Sequence, residues 1–354
     1  MLLSPKFLFV PVSSAEGIGE YMRSKIIADE VAQHWPEAQI EFVLNSNAPY
    51  IHSCPYKIHL VDDSPTKKIR EVNELMTELS PDIVIFDAAG RKAQLKHAKK
   101  LGAKVIFISQ HRRKRSRGMK VERALVTDSH WVVQPEFVIG DITRFDKFKL
   151  DLIDRPHPIF TGAVFPQPDK ELQQKLQQEF DLVDGDYLLY SAGSGSHHVK
   201  NGLAADLWAE VAQKTYQQFG IKSVMVFGPN YPHPLPELDG VIAVLQLTSI
   251  EFINLLQGAK ASVLSGGDTL LQSMALGIPS LVVPVAKDQP NRIKKCYEAG
   301  WIHTSKPQVD AMCKALSSLL TESKLVELKD KYAQCSLENG LNIVMSEIER
   351  LLVD

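Results

Sequence analysis

Short apolar runs that alternate with helical patterns limit the fold of this chain more than any other feature. The runs contain consecutive Val, Ile, Leu and Phe residues without polar alternation, which is typical of strands buried on both faces of a parallel sheet. Segments with apolar residues at helical spacing separate these runs. The predicted strands are residues 6–12, 40–44, 83–86, 105–109 and 131–133 in the first half, and 187–191, 223–227, 241–245, 261–264 and 280–283 in the second.

Two such arrays predict an α/β chain with two Rossmann-like, doubly wound parallel-sheet domains. The length of 354 residues also suits about two domains. A Pro-rich stretch between the arrays suits a linker. We therefore predict an N-terminal domain at 1–158, a linker at 159–185, a second domain at 186–335 and a C-terminal helix at 336–354. Function is expected in a cleft between the two domains.

Composition excludes several classes of protein. Hydrophobic residues make up 44% and charged residues 23% of the chain, which are globular values and not those of a disordered chain. No apolar run is long enough to predict a membrane span. The 4 cysteines are far apart and form no CxxC pair, which favours reduced thiols in a cytoplasmic protein. The net charge of -2 argues against a generally basic nucleic-acid binder.

The charges are unevenly distributed along the chain. Residues 1–160 carry 24 Lys and Arg against 20 Asp and Glu, whereas residues 161–354 carry 16 against 22. The excess comes from a basic run at residues 112–120, which we expect to form a loop. Because no aromatic residues accompany it, the run favours an anionic acceptor or an anionic membrane surface over nucleic acid. A solvated face is the alternative interpretation.

A glycine turn in the second half is the strongest local signal. Gly266 and Gly267 follow the predicted strand at 261–264 and precede a helical pattern, so backbone N–H groups can approach an anion at the start of that helix. Polar side chains that can hydrogen-bond sugar or ribose hydroxyls follow on that helix and after the next strand: Gln272, Asp288 and Gln289. An ordinary βαβ crossover is the alternative interpretation of the glycine pair alone.

This string resembles the C-terminal nucleotide-sugar site of GT-B glycosyltransferases. It is most similar to the N-acetylglucosaminyltransferase that forms lipid II and to the UDP-sugar hydrolase of pseudaminic acid biosynthesis. The matching positions are Gly267, Thr269, Gly277, Pro279, Asp288, Gln289 and Asn291. The chain departs at Gln272, where these families usually have a Glu that grips the ribose hydroxyls. The loop of Gly193 and Ser194 is similar to their Gly-Gly-Ser-x-Gly loop, which implies a place for the pyrophosphate.

The loop after the first predicted strand carries a second resemblance. Gly17, Gly19 and Arg23 match the Gly-x-Gly-His-x-x-Arg loop of the UDP-sugar hydrolase, which implies acceptor binding there. Glu20 stands where those families have His. It is a candidate base, and the alternative is a carboxylate stabilised in the first turn of a helix. Asp87 follows the strand at 83–86 and is the second catalytic candidate, with a helix N-cap as its alternative role.

The resemblance implies a GT-B hexosyltransferase that moves a sugar from a UDP-sugar to an anionic cell-envelope glycan or lipid-linked acceptor, without a cofactor or a bound metal. The donor is expected on the second domain and the acceptor on the first, near His111, Arg112 and Arg113. Peripheral contact with the inner face of an anionic membrane is a further expectation. A UDP-sugar hydrolase and a catalytically silent sugar-nucleotide-binding protein are the alternatives.

Overall fold

The computed structural model describes residues 4–13, 18–200, 202–287, 289–334 and 337–353. The chain divides into two compact units, the first formed by Met1–Val164 with Gly340–Asp354 and the second by Phe165–Asn339. Each unit is built on a parallel β-sheet with helices between its strands. The predicted α/β class with two Rossmann-like, parallel-sheet domains is therefore confirmed.

The first unit contains a sheet whose strand order reverses once. Its elements are β1 (Lys6–Pro11), α1 (Gly19–His34), β2 (Gln39–Asn45), β3 (Lys57–Val61), α2 (Ile69–Leu79), β4 (Ile83–Asp87), α3 (Lys92–Lys100), β5 (Lys104–Ser109), α4 (Arg112–Gly118), α5 (Val121–Ala124), β6 (Ser129–Val132), α6 (Glu136–Ile139), α7 (Arg144–Leu152) and β7 (Ile159–Phe160). In the described part of this unit, parallel strands pair in the order β3-β2-β1-β4-β5-β6-β7. Because the order reverses between β1 and β4, their carboxyl ends border a crevice.

Strand β1 shows why continuous apolar runs form this sheet. Phe7 and Phe9 point to one face, where they join the apolar cluster that contains Ile27 of α1. Leu8 and Val10 point to the other face and join the cluster that contains residues of α2 and α3. Burying a side chain of this size contributes about 1.5–3 kcal/mol. Both faces of β1 are therefore covered, as the absence of polar alternation predicts.

The second unit repeats this architecture. Its elements are α8 (Lys170–Glu179), β8 (Tyr187–Ser191), β9 (His198–Val199), β10 (Gly202–Leu203), α9 (Ala204–Phe219), β11 (Lys222–Val226), β12 (Val241–Val244), α10 (Ser249–Gln257), β13 (Ala261–Ser265), α11 (Asp268–Ala275), β14 (Ser280–Val283), α12 (Gln289–Glu298), β15 (His303–Thr304), α13 (Val309–Leu319) and α14 (Glu322–Gln334). Within the described residues its main sheet has the order β12-β11-β8-β13-β14-β15. The order reverses between β8 and β13.

The last helix, α15 (Gly340–Val353), belongs to the first unit. Its buried face, including Val344 and Ile348, joins the same cluster as Phe7. A Cβ atom built on Gly340 would lie 2.3 Å from the carbonyl oxygen of Thr161, so only glycine fits at the start of this helix. The first unit thus contains both β1 and α15.

The expected loop at residues 112–120 is wrong, because most of this run forms α4. Its sequence has no apolar periodicity from which a helix could be predicted. The buried residues of α4 are Arg115 and Gly118, and a Cβ on Gly118 would lie 2.4 Å from the ring of His130. The sequence patterns also do not predict β3, α7, α8 or α13, and α8 lies within the stretch predicted as a linker.

Candidate functional site

Each sheet has a switch point where ligands of doubly wound folds bind, at the carboxyl ends of the strands that flank the reversal. In the second unit, the loops after β8 and β13 meet this criterion, and they contain the predicted glycines Gly193, Gly266 and Gly267. In the first unit, the segments after β1 and at the end of β4 meet it, with Glu20 and Asp87. Within each unit, strand order therefore places the segments that the sequence singles out at one switch point.

The glycine turn of the second unit is held by the first turn of α12. The side-chain Oε1 of Gln289 accepts hydrogen bonds from the N–H groups of Gly266, at 3.3 Å, and Val285, at 2.8 Å. It therefore ties the turn after β13 to the loop after β14. A Cβ on Gly266 would lie 2.6 Å from Cδ1 of Ile293, so the turn packs directly against α12.

Arg292, which was not among the candidates predicted from the sequence, makes the second contact from α12. Its Nη1 donates to the carbonyl oxygen of Gly266 at 2.7 Å, and its Nη2 lies 3.4 Å from Oδ1 of Asp268. The residue is only 7% exposed. Because it follows Gln289 by three residues on one helix, both side chains lie on the same face. That spacing was the signal available in the sequence.

The loop after β8 is packed closely beside this turn. Gly193 and Gly195 both have a φ of 94°, which favours glycine. A Cβ on Gly193 would lie 3.6 Å from Oγ of Ser265, and a Cβ on Gly267 would lie 3.7 Å from the same atom. The two predicted donor loops thus flank one hydroxyl. Ser194 is half-buried in the first loop, and its carbonyl oxygen accepts the N–H of Asn230 at 2.9 Å.

Helix α11 begins at the glycine turn, with Gly267 as its N-cap and no side-chain cap. Thr269 and Gln272 lie half-buried in its first two turns. Behind them, a network of buried hydroxyls joins the helix to the sheet, with Oγ of Ser273 and Oγ of Ser280 at 2.8 Å. The predicted Asp288 lies outside the described residues.

The switch point of the first unit holds a buried ion pair. Asp87 is 0% exposed and Arg23 is 7% exposed. Nε and Nη2 of Arg23 donate to the two carboxylate oxygens of Asp87, at 2.9 and 2.7 Å. Burial raises the pKa of Asp87 to about 6, whereas Arg23 limits this rise. Both residues were candidates from the sequence, but nothing in the sequence indicates that they bind each other.

Glu20 lies in the first turn of α1 and is half-buried. It is close enough to Asp87 for its charge to raise the pKa of that carboxyl further. Gly19 is the exposed first residue of α1, and a Cβ there would meet nothing within 4 Å. The predicted Gly17 lies outside the described residues.

The basic run contains residues bound to backbone carbonyl groups and residues exposed to solvent, and Arg112 is both. Nε of Arg112 donates to the carbonyl oxygen of Ile139 at 2.6 Å, and Nη2 of Arg115 donates to that of Asp141 at 3.1 Å. These arginines satisfy carbonyl groups at and beyond the end of α6. His111, just before α4, and Arg113, within it, are exposed.

Among the described residues, no group of three His, Cys, Asp or Glu side chains is arranged to hold a metal ion. No helix in this part of the chain has the length and apolar character needed to cross a membrane.

Comparison with known proteins identifies the fold. No protein-family model and no curated protein matches the sequence. Among solved structures, the calicheamicin glycosyltransferase CalG4 is 14% identical, with a TM-score of 0.63 over 99% of this chain and 98% of that chain. UGT2 of Phytolacca americana, solved with UDP-2fluoro-glucose and pterostilbene, is 12% identical, with a TM-score of 0.65 over 99% and 100% of the two chains.

The fold is shared with another class of enzyme. UDP-GlcNAc 2-epimerase from Neisseria meningitidis, solved with UDP-GlcNAc, is 13% identical, with a TM-score of 0.58 over 98% of this chain and 100% of that chain. At such low identity the similarity establishes the GT-B fold that was predicted. It does not extend to the particular resemblance to the lipid-II-forming transferase.

Proposed function

We propose that this chain is a glycosyltransferase that moves a hexose from a UDP-sugar to an anionic glycan or lipid-linked acceptor of the cell envelope. The observation that carries the proposal is the pair of glycine loops around Ser265 at the switch point of the second sheet. Two of the compared structures are glycosyltransferases, and one of these was solved with a UDP-sugar analogue.

In this proposal the second unit binds the donor. The N–H groups in the first turn of α11 and the loop of Gly193 and Ser194 bind the diphosphate, because a helix N-terminus carries about half a positive charge. Metal ions are not required for this step when backbone groups offset the charge of the leaving diphosphate. Thr269 and Gln272 bind sugar or ribose hydroxyls, as do Asp288 and Gln289. Oε1 of Gln289 supports the turn, so we assign the sugar contact to its Nε2 donor.

The first unit supplies the base and the acceptor site. We assign the base to Glu20, because it lies at the switch point on the first turn of α1 and is not completely buried. Asp87 acts through its neighbours in this proposal, since its buried carboxylate is bound by Arg23. Gly19 leaves room for the acceptor beside Glu20, and we assign Gly17 to the acceptor site from the sequence alone.

The anionic acceptor would meet the exposed part of the basic run, with His111 and Arg113 foremost and Arg112 in support. An apolar stripe on α7 favours contact with a membrane in addition. Phe145, Phe148 and Leu152 follow one another at helical spacing and are 72%, 64% and 74% exposed. Such a stripe beside basic residues is typical of helices that lie on anionic bilayers.

Donor binding is tested by thermal unfolding of the full chain with UDP-, GDP-, TDP- and CMP-sugars. UDP-sugars should raise Tm, since a ligand at 100 times its Kd stabilises the folded state by about 2.7 kcal/mol. The variant Gln272→Ala should weaken this shift, whereas Gln178→Ala, exposed on α8, should not. No stabilisation by any of these sugars at millimolar concentration would contradict the donor site.

The reaction is tested by product analysis with a bound UDP-sugar. Transfer requires that UDP release depend on an added lipid-phosphate or glycan-phosphate acceptor. Release of UDP and free sugar in water alone would instead identify a hydrolase, and binding without turnover a silent binder. A sugar epimer as the product would identify an epimerase, the other class found with this fold.

Membrane contact is tested by sedimentation of the protein with vesicles of phosphatidylcholine, with and without phosphatidylglycerol. Binding should require the anionic lipid and should be lost in the double variant Phe145→Ser with Phe148→Ser. Val183→Ser is the matched control, because Val183 is 69% exposed in the second unit. Equal sedimentation of both variants would exclude α7 as the membrane-facing element.

A further inference from the structure

We infer that Arg292 is a positioning residue for the donor: it offsets the charge of Asp268 at the start of α11 and fixes the turn at Gly266. The inference rests on the proposed binding of a UDP-sugar diphosphate at this helix. It concerns a residue that matches no motif of the resemblance stated above.

The first residue of α11 poses an electrostatic problem for that binding. Asp268 places a carboxylate in the first turn, where the helix dipole favours any negative charge, including that of a diphosphate. Its side chain is 42% exposed, so solvent screens it only in part. Two anions would therefore compete for one helix terminus, and an unmatched Asp268 would repel the donor.

Arg292 matches this carboxylate from the protein side. Its guanidinium lies 3.4 Å from Asp268 through Nη2, while Nη1 donates to the carbonyl oxygen of Gly266 at 2.7 Å. Arg292 is only 7% exposed, so its guanidinium lies inside the protein, where little solvent reaches it. The charge of Asp268 is then offset within the protein, and the N–H groups of the first turn can attract an anion.

The same residue restricts the backbone of the turn. The N–H of Gly266 is bound by Gln289 and its carbonyl oxygen by Arg292, so both polar groups of this residue are held by α12. A turn fixed on both sides presents the following N–H groups in one arrangement before the ligand arrives. Ordering a loop on binding costs free energy and lowers the affinity. Because this turn is already fixed, UDP binding avoids that cost.

The experiment measures UDP binding by titration calorimetry with the full chain at about 20 mM and about 300 mM NaCl, because screening weakens the electrostatic part at the higher salt. Arg292→Gln should weaken binding at least about tenfold at low salt and less at high salt. Combining it with Asp268→Asn restores the local charge and should recover the salt-dependent part of the lost affinity, whereas the part due to the lost hydrogen bond to Gly266 should remain. Lys294→Gln, an exposed charge loss on the same helix, should leave Kd unchanged.

The outcomes distinguish failure of the proposed UDP-sugar binding from failure of the role assigned to Arg292. Wild-type protein that does not bind UDP would overturn both the proposed function and this inference. Wild-type binding with an unchanged Arg292→Gln variant would overturn the inference alone, as would a double variant that stays as weak as the single one. If Arg292→Gln does not fold, the double variant is compared with Asp268→Asn alone: weaker UDP binding by the double variant supports the inference, and an equal Kd refutes it.

Discussion

Replacing Asp87 by Asn should remove a pH dependence from the free energy of unfolding. In the folded protein, burial raises the pKa of Asp87 from 3.8 to about 6, and Arg23 only limits this rise. The folded state therefore binds the proton more tightly than the unfolded chain does. The resulting stability is complete below pH 4 and is lost as the pH rises through about 6. A shift of about two pKa units corresponds to a loss of about 3 kcal/mol across this window.

The assay is urea unfolding of the wild type and of Asp87→Asn at several values between about pH 4 and pH 7. As the pH rises over this range, the wild type should lose about 3 kcal/mol of unfolding free energy relative to the variant. Asp310→Asn is the control for loss of a carboxylate, because the side chain of Asp310 is 100% exposed. Its difference from the wild type should stay nearly constant.

The sign of the slope decides between two physical effects at this ion pair. A constant difference would show that the pKa of Asp87 is unperturbed and would refute the reasoning. A difference that grows with pH would show that attraction to Arg23 outweighs desolvation. If Asp87→Asn does not fold, Arg23→Gln replaces it: loss of the cation should move the decline in stability to higher pH.

Three further predictions concern catalysis and packing. Glu20→Gln should lower kcat by about 10²–10⁴ with little change in the Kd for UDP, which stopped assays of transfer and calorimetry would measure; unchanged kcat would remove the base from Glu20. Gly340→Ala should cost about 1–3 kcal/mol of unfolding free energy, since its Cβ would meet the carbonyl oxygen of Thr161, and an unchanged urea midpoint would contradict this. Ser280→Ala should cost about 1–3 kcal/mol, because Oγ of Ser273 loses a buried partner; a variant as stable as the wild type would show that the hydroxyl network does not hold α11.

The sequence predicts the strands and the site loops for one physical reason. A strand buried on both faces must be continuously apolar, so β1, β4, β8 and β13 are visible as runs, and the loops that follow them necessarily lie at one sheet edge. Edge strand β3 is not predicted, because among its residues only Val61 is buried and no continuous apolar run results. Helix α4 is not predicted either, because its buried residues are an arginine and a glycine and give no apolar pattern.

The contacts within the site were not predictable in the same way. Asp87 and Arg23 are separated by 64 positions, and their pairing depends on how β4 lies beside the start of α1. Arg292 reaches Gly266 over 26 positions for a similar reason. A sequence pattern reports the period of one element, whereas these bonds depend on the packing of one element against another. The sequence therefore predicts which residue types lie in the site loops, but it does not predict which side chains bind each other.

Formal charge in the first half overstates the charge available to an anionic partner. Arg23 forms a buried ion pair with Asp87. Arg123 lies buried over the ring of Phe107, and Arg115 donates to carbonyl groups beyond α6. These cations stabilise loops at or near the carboxyl edge and do not face a ligand in solvent. Within the run, Arg115 is buried and Lys114 is half-buried, whereas Arg112, Arg113, Arg117 and Lys120 are exposed. If acceptor binding depends on the charge of the run, it therefore depends on these four exposed cations, and the buried arginines would act on it only by holding the loops in place.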